Sequence, residues 1–377
     1  MRVLHISADV QVGGTESFLI TLARNHDIDQ TANHDFAFTA EGPAFDTIRN
    51  TSAQVHYLGA PSFRRPKTLH LTRRRLNEVC KQYKYDVAVF HQYPYLVAAF
   101  ADVLWRRGVK TVRYFHNETH PASRIERLVR LIYTRLLDLS VFNSQFLLGC
   151  MPNANARGTV LYCPVDRQID LPEAKRKAIR TQFATASEDP VVIQVCRMDE
   201  RKGHARLLRA MATLKSLHWT CWIVGGPQDV RGPKTKAQIF YFESLKVLAV
   251  ELGIAERVRF LGTRTDVPEL LAAADIFCHP NTYPPEPFGI AFVEALQAGL
   301  PVVTSAMGGA IEIVTEKCGF LLPPEDDAAL SRTLQTLLTE DRLRREMSVA
   351  ARARGEEFEA KVRIPLLNTA LKAALTR

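Results

Sequence analysis

Residues 286–314 read EPFGIAFVEALQAGLPVVTSAMGGAIEIV. The order of signals inside that stretch decides the fold. Pro284, Pro285 and Pro287 hold the approach extended, because a proline ring fixes φ and keeps the preceding residue out of the helical region. Phe288-Gly289 then opens a helix expected to run to about Ala298, which Gly299 ends. A β-branched run, PVVTS (301–305), follows. A helix start preceded by glycine presents free backbone N–H groups and a partial positive charge, a ready anion site. Glu286 lies just outside the helix and Glu294 about one and a half turns into it. A diphosphate at the helix start would have one carboxylate near each end, each able to accept bonds from vicinal hydroxyls of a sugar or a ribose. The bland alternative is a polar loop before an ordinary amphipathic helix.

Outward from that stretch, strand-like runs recur. Upstream lie PVVIQVCRM (190–198), TCWIVGG (220–226), RVRFLG (257–262) and DIFCHP (275–280). The N-terminal half repeats the texture with VLHI (3–6), HDFAFTA (34–40), AQVHYLG (53–59), DVAVF (86–90), TVRYF (111–115) and SVFN (140–143). Helical stretches intervene over 15–24, 71–83 and about 122–138. Such alternation predicts parallel sheets covered on both faces. At 377 residues the chain suits two domains. Between about 164 and 189 it turns polar and charged, which reads as the connection followed by one helix. The last 40 residues, including ARARGEEFEAKVR, read as wholly helical. The expectation is an α/β chain with two doubly wound domains, whose ligands bind at the carboxyl ends of the strands.

Composition narrows the function classes. Apolar residues are 46% and charged residues 24%, a globular balance, and no apolar run reaches the ~20 residues that span a bilayer. The opening MRVLHIS reads as a strand rather than a signal peptide. Seven scattered cysteines with no CxxC pair read as reduced thiols of a cytoplasmic protein. The net charge of +9 calls for an anionic partner: a nucleotide, a phospholipid surface or a nucleic acid. Nothing resembles a nucleic-acid module, and the basic residues lack interleaved stacking aromatics, so no nucleic acid is expected.

With PPEPFG before it and AGLPVV after it, the 286–314 stretch resembles the glutamate-pair signature of retaining glycosyltransferase family 4, the glycosyl transferases group 1 of the GT-B superfamily. The resemblance covers nearly the whole chain, is strong over 190–322 and thin over 25–110. It implies a GT-B fold, two Rossmann-like doubly wound domains facing across a cleft. The N-terminal acceptor domain is expected over 1–170, the C-terminal donor domain over 171–355, and a final helix over 356–377 returning toward the N-terminal domain.

The resemblance also implies roles residue by residue. VCRMDERKGHARLLRAM (195–211) is similar to the family's strand-turn-helix in which an arginine and a lysine, here Arg197 and Lys202, grip the donor diphosphate. Solvated turn charges are the plain alternative. Glu286, Phe288, Gly289, Ile290 and Glu294 are expected at the donor. Gly225-Gly226 and Gly262-Thr263 match loops that line the phosphates and base. VQVGGTESF (10–18) places Gly13 and Gly14 in the family's loop facing the donor, with Thr15 able to cap the first helix. RYFHNETH (113–120) places His116 where the family has a histidine contacting the transferred sugar; Asn117, Glu118 and His120 are neighbours only. Asn143-Ser144 match an acceptor-side turn. Asp166 matches an aspartate near the domain junction, although Cys163-Pro164-Val165 stands where the family has Asn-Gly. Asp27-Ile28-Asp29, a D-x-D metal–nucleotide pattern in another transferase fold, reads as accidental here.

The function so implied is metal-independent, retaining transfer of a hexose-type sugar from a UDP-, GDP- or ADP-sugar to a hydroxyl acceptor. No cofactor and no metal ligand are expected. The acceptor would be a glycan or lipid-linked molecule of cell-surface glycan or glycolipid synthesis. PASRIERLVRLIYTRLLD, from Pro121, spaces Ile125, Leu128, Val129, Ile132 and Leu136 as one helical face, with Arg124, Arg127 and Arg135 off it. RRPKTLHLTRRR (64–75) adds six cations. Both suit an anionic membrane surface, hence a peripheral location on the inner face. A core-facing helix with a solvated edge is the alternative. The rival functions are a GT-B nucleotide-sugar epimerase or phosphorylase, and a non-enzymatic peripheral membrane binder.

Overall fold

The computed structural model describes residues 1–8, 13–91, 94–117, 137–151, 158–186, 188–227 and 233–376. It divides into two compact units, Met1–Asp166 with Phe358–Arg377, and Arg167–Glu357. Among the described residues, the first unit has seven strands: β1 (Arg2–Ser7), β2 (Asn33–Phe38), β3 (Val55–Tyr57), β4 (Val87–His91), β5 (Lys110–Phe115), β6 (Leu139–Phe142) and β7 (Gly158–Val160). All pair in parallel, in the order β3-β2-β1-β4-β5-β6-β7. The second unit has β8 (Val191–Val195), β9 (Thr220–Val224), β10 (Val258–Gly262), β11 (Ile276–His279), β12 (Val302–Ser305) and β13 (Gly319–Leu322). They too are parallel, in the order β10-β9-β8-β11-β12-β13. Both units are therefore doubly wound, Rossmann-like α/β folds. In each, the strand order reverses beside the first strand, between β1 and β4 and between β8 and β11. That reversal opens a crevice at the strands' carboxyl ends.

The strand sequences explain the parallel sheets. VAVFH of β4 and TCWIV of β9 are buried at every residue. Helices on both faces leave no polar side, so the runs are continuous rather than alternating. Trp219 and Trp222 are fully buried in the second unit. Each keeps its indole N–H satisfied, Trp219 on the Leu214 carbonyl at 2.8 Å and Trp222 on Thr185 Oγ1 at 3.1 Å.

Several expectations are corrected. The first helix is Gly14–Arg24 and its N-cap is Gly13, not Thr15. Gly13 is extended and its carbonyl accepts the Ser17 N–H at 2.9 Å, which leaves Thr15 buried inside the first turn. The C-terminal segment is not one helical run. Asp341–Glu356 and Ala360–Leu375 are separate helices. Between them the Val165 N–H donates to the Phe358 carbonyl at 3.0 Å and Ala360 N–H to the Val165 carbonyl at 2.9 Å. The backbone there bonds to a distant strand-like segment instead of to itself, so the helix breaks. The short edge strands β7 and β13 were not expected. The basic helix expected over about 122–138 lies outside the described residues as far as residue 136, and residues 137 and 138 are not helical; Glu118, His120 and residues 10–12 also lie outside them. No helix among the described residues is long and apolar enough to cross a membrane. All seven cysteines are free thiols.

Candidate functional site

The second unit assembles its candidate residues at its crevice. Beyond β8 the chain makes a single 3-10 turn, Glu200–Lys202, whose N-cap Asp199 accepts the Arg201 N–H at 3.1 Å. Gly203 closes the turn with φ 75°, a left-handed conformation that suits glycine. A Cβ on Gly203 would stand 2.1 Å from the Pro280 carbonyl oxygen, so the turn lies flat against the exit of β11. Three bonds hold it there. Gln194 Nε2 donates to the Lys202 carbonyl at 2.6 Å, the Thr282 N–H to the Arg201 carbonyl at 2.8 Å, and Arg206 Nη1 to the Pro280 carbonyl at 3.2 Å.

Beyond β11 the proline loop leads to the Ile290–Gln297 helix, N-capped by Gly289 at φ 96°. Gly299 stands past its end at φ 81°. The loop is seated on Gly308-Gly309. The Gly309 N–H donates to the Glu286 carbonyl at 2.9 Å, and a Cβ on Gly308 would meet that oxygen at 2.2 Å. So placed, Glu286 forms an ion pair with Lys202 Nζ. The pair is half-buried, with side chains 13% and 28% exposed. Arg197 is exposed and makes no hydrogen bond or ion pair among the described residues. Phe288 is buried and Glu294 is half-buried in the first turns of the helix. Asp199 is pulled down to about 2 by its bond to Arg201, so it stays charged beside Lys202.

A second patch forms at the ends of β9 and β10. The Gly225 N–H donates to the Gly262 carbonyl at 2.8 Å. A Cβ on Gly226 would strike Thr263 Oγ1 at 2.8 Å, and one on Gly225 the Cys196 carbonyl at 1.9 Å. Gly225, Gly226, Gly262 and Thr263 are thus neighbours, and through Cys196 they adjoin the segment that carries Arg197. Burial pushes the Cys196 thiol up to about 12, so it is no nucleophile.

Sequence reasoning missed Gly203, Gly308, Gly309 and a buried polar group behind Lys202. His279, at the end of β11, has both ring nitrogens buried without a hydrogen-bond partner, as are Asn281 Nδ2 and Gln194 Oε1. Burial and the Lys202 charge push His279 well below its ordinary value. The usable signals were the Gly308-Gly309 pair after PVVTS and the histidine ending DIFCH.

In the first unit, His116 stands just beyond β5, buried, its carbonyl accepting Asn143 Nδ2 at 2.9 Å. Ser144 Oγ accepts the Leu147 N–H at 3.0 Å and caps the Gln145–Gly149 helix. The Asn143 and Ser144 side chains therefore already hold backbone groups in place. Gly13 and Gly14 sit at the start of the first helix, after β1. Asp166, the last residue of the Met1–Asp166 stretch, accepts Asn25 Nδ2 at 2.6 Å within the first unit. Asp29 accepts the Thr31 N–H at 2.9 Å and Asn368 Nδ2 at 3.0 Å, and hydrogen bonding from Thr31 first and Asn368 next draws it down to about 2. Among the described residues no cluster of His, Cys, Asp or Glu has the geometry of a metal site.

Known proteins resemble this chain in sequence and in fold. The model of the family Glycosyl transferases group 1 matches residues 175–354, and that of Glycosyltransferase Family 4 matches residues 12–168. The chain is 33% identical over 173 residues to the lipopolysaccharide glucosyltransferase WaaG of Escherichia coli, covering 45% of this chain and 42% of that protein. It is 32% identical over 232 residues to a GDP-mannose-dependent alpha-(1-6)-phosphatidylinositol monomannoside mannosyltransferase of Mycolicibacterium smegmatis, covering 58% and 54%. The chain thus spans about half the length of the curated relatives it matches. The crystal structure of Anabaena HepE in complex with UDP and glucose superposes with a TM-score of 0.82 over 99% of both chains at 23% identity, which establishes the GT-B fold.

Proposed function

The chain belongs to glycosyltransferase family 4, the glycosyl transferases group 1, and from that premise we propose that it is a retaining, metal-independent hexosyltransferase. It takes a nucleotide-diphosphate sugar in the second unit and transfers the sugar to a hydroxyl of a glycan or lipid-linked acceptor bound by the first. The observation that carries this reading is the Lys202–Glu286 pair at the β8/β11 crevice, with unpaired Arg197 on the same loop. Lys202 is held by its own backbone, and its ammonium ion-pairs with Glu286. An arriving diphosphate exchanges with Glu286 for Lys202 and frees that carboxylate to accept sugar hydroxyls. Arg197 supplies a second positive charge, and the start of the Ile290–Gln297 helix supplies backbone dipoles.

In the transfer, the bond from C1 to the diphosphate oxygen breaks. The acceptor oxygen bonds C1 on the same face, and its proton passes to the departing phosphate oxygen. Anomeric configuration is retained without a protein nucleophile. Fixed cations aimed at the developing negative charge do the work a metal does elsewhere. Loss of one comparable contact typically costs about 2.7–4 kcal/mol of barrier. WaaG and the mannosyltransferase act, by name, on lipopolysaccharide and a phosphatidylinositol mannoside, which supports a glycolipid or cell-surface acceptor.

The nucleotide is the first thing to measure, since the Anabaena structure holds UDP and the mannosyltransferase is named for GDP-mannose. The expected result is that one of UDP, GDP and ADP raises the unfolding midpoint without magnesium. A ligand at 100 times its Kd stabilises by about 2.7 kcal/mol. Lys202→Met is expected to abolish that shift and lower turnover about 10²–10³-fold. No shift with any nucleotide would remove the donor site and move a binding protein to the front. Conversion of the nucleotide sugar with no acceptor present would make the protein an epimerase.

A peripheral position on an anionic membrane face is part of this reading. In the first unit, Tyr57, Phe63 and Leu71 are exposed beside Arg64 and Arg65. Binding to anionic vesicles that weakens with salt is expected, and equal binding to neutral vesicles would remove it.

A further inference from the structure

Four histidines stand on adjoining strands of the first unit: His34 on β2, His5 on β1, His91 on β4 and His116 beyond β5. All four are buried. His34 Nδ1 meets His5 Nε2 at 2.8 Å, His5 Nδ1 meets His91 Nε2 at 2.9 Å, and His91 Nδ1 meets His116 Nε2 at 2.8 Å. They cross the place where the strand order reverses. Burial keeps the rings neutral. His34 is drawn down to about 4 and His116 to about 3, while His5 and His91 lie well below their ordinary value.

A neutral imidazole has one N–H and one bare lone pair. Each contact between ring nitrogens needs one of each, so fixing one proton fixes all four. The fixing group is Asn368, from the Ala360–Leu375 helix. Its Nδ2 donates to Asp29 Oδ2 at 3.0 Å, and that carboxylate is charged and can only accept. Turned over, the amide would set its oxygen against a carboxylate. Its Oδ1 therefore faces His34 Nε2, at 2.9 Å, and can only accept. His34 must carry its proton on Nε2. His5 Nε2–H then donates to His34 Nδ1, His91 Nε2–H to His5 Nδ1, and His116 Nε2–H to His91 Nδ1. The chain ends with His116 Nδ1 bare. That nitrogen has no hydrogen-bond partner among the described residues.

We propose that Asp29 and Asn368 are positioning residues that, through His34, His5 and His91, hold His116 as the Nε2–H tautomer and make its Nδ1 an obligatory acceptor for a substrate hydroxyl. The hydroxyl is a sugar's, a clause that rests on the transferase reading above; the proton order does not. At neutral pH the site so set cannot donate. It favours a ligand group that brings its own proton and disfavours an acceptor-only group such as a phosphate oxygen or a carboxylate.

Nitrogen-15 NMR of the full chain labelled at histidine reads the tautomers directly. Wild type is expected to show all four rings protonated at Nε2 alone. Asp29 is partly exposed, so Asp29→Leu is a mild change for folding, and it unclamps the amide. It is expected to bring Nδ1–H signal at His116 and a roughly two- to tenfold loss of kcat/KM, the size of one neutral hydrogen bond. Asp29→Glu keeps an acceptor-only carboxylate for Asn368 Nδ2 and should restore both readings. A wild-type His116 protonated at Nδ1, or Asp29→Leu with unchanged tautomers, overturns the proposal. Wild-type protein with the expected tautomers but no transferase activity toward any nucleotide sugar would overturn the function and leave the proton order supported.

Discussion

Substituting Gly203 by alanine tests whether the turn carrying Lys202 is built as described. Two penalties act at that position. Gly203 has φ 75°, and a left-handed conformation costs a residue with a Cβ about 1–2 kcal/mol. The Cβ would also lie 2.1 Å from the Pro280 carbonyl oxygen, where ordinary contact begins at 3.4 Å, so the two segments must part by 3.4 − 2.1 = 1.3 Å. That parting strains three bonds: Gln194 to Lys202, Thr282 to Arg201, and Arg206 to Pro280. Losing one or two of them adds about 1–2 kcal/mol. The sum is roughly 2–4 kcal/mol, a fall of roughly 4–16 °C in Tm for a unit of this size. Function should suffer more than stability, because Lys202 is the adjacent residue and a displacement of about 1 Å can cost about 10²-fold in rate. Gly253→Ala is the control. It has a similar φ of 64° in the same unit, but its Cβ meets only the flexible end of Lys215, at 3.2 Å. Calorimetry of both variants, with turnover, separates the backbone penalty from the overlap. If Gly203→Ala melts within a degree of Gly253→Ala and keeps full turnover, the turn does not press on the β11 exit and the reasoning fails.

Acid should unfold the first unit early. The four buried histidines have folded values far below 6.5, so as pH falls from 6.5 toward 4 the unfolded chain takes up protons that the folded chain refuses. Stability is then lost with falling pH at about 1.4 kcal/mol per pH unit per ring, on the order of 5 kcal/mol per unit for four. Set against a total of about 5–15 kcal/mol, this predicts loss of the first unit near pH 5; hydrogen exchange protection unchanged between pH 7 and 5 would contradict it. Ser144→Ala should cost about 1 kcal/mol, the ordinary value of a helix cap, and leave acceptor KM alone. A raised acceptor KM with unchanged stability would instead put the hydroxyl at the acceptor.

What could be read from the residues was what local chemistry decides. Gly289 before the Ile290–Gln297 helix and Gly299 after it were legible because a left-handed cap selects glycine wherever it occurs. Strand runs such as VAVF and TCWIV were legible because burial on both faces demands unbroken apolarity. Distance in the chain hid the rest. ARARGEEFEAKVR is rich in helix formers, and only pairing with Val165, almost two hundred residues earlier, breaks it at Phe358–Glu359. Gly203 and Gly308 look like any turn glycines until the carbonyl each one admits is in place. The histidine chain is scattered over positions 5, 34, 91 and 116, and its terminus is Asn368. No window of sequence contains it. Asp29, read as the end of an accidental D-x-D, is indeed remote from the Lys202 loop in sequence, yet it clamps that terminus.

The two units share one strand order but fill the place of its reversal with opposite chemistry. In the second, β8 and β11 lead into short loops whose glycines bring backbone close and whose side chains are charged, Lys202 against Glu286 with Arg197 on the same loop as Lys202. The Lys202–Glu286 pair is half-buried but still reaches solvent, which suits the proposed uptake and release of a charged nucleotide. In the first, β1 and β4 carry His5 and His91 within the strands, and burial strips the rings of charge. Neutral rings in series hold no ion, but they hold a direction, because every donor needs the next acceptor. The proposed transfer of a sugar from a diphosphate to an alcohol needs both a site that binds charge and a site that orders neutral hydroxyls. The same topology serves both because the reversal supplies only the place, and the residue types at the strand ends decide what is bound there.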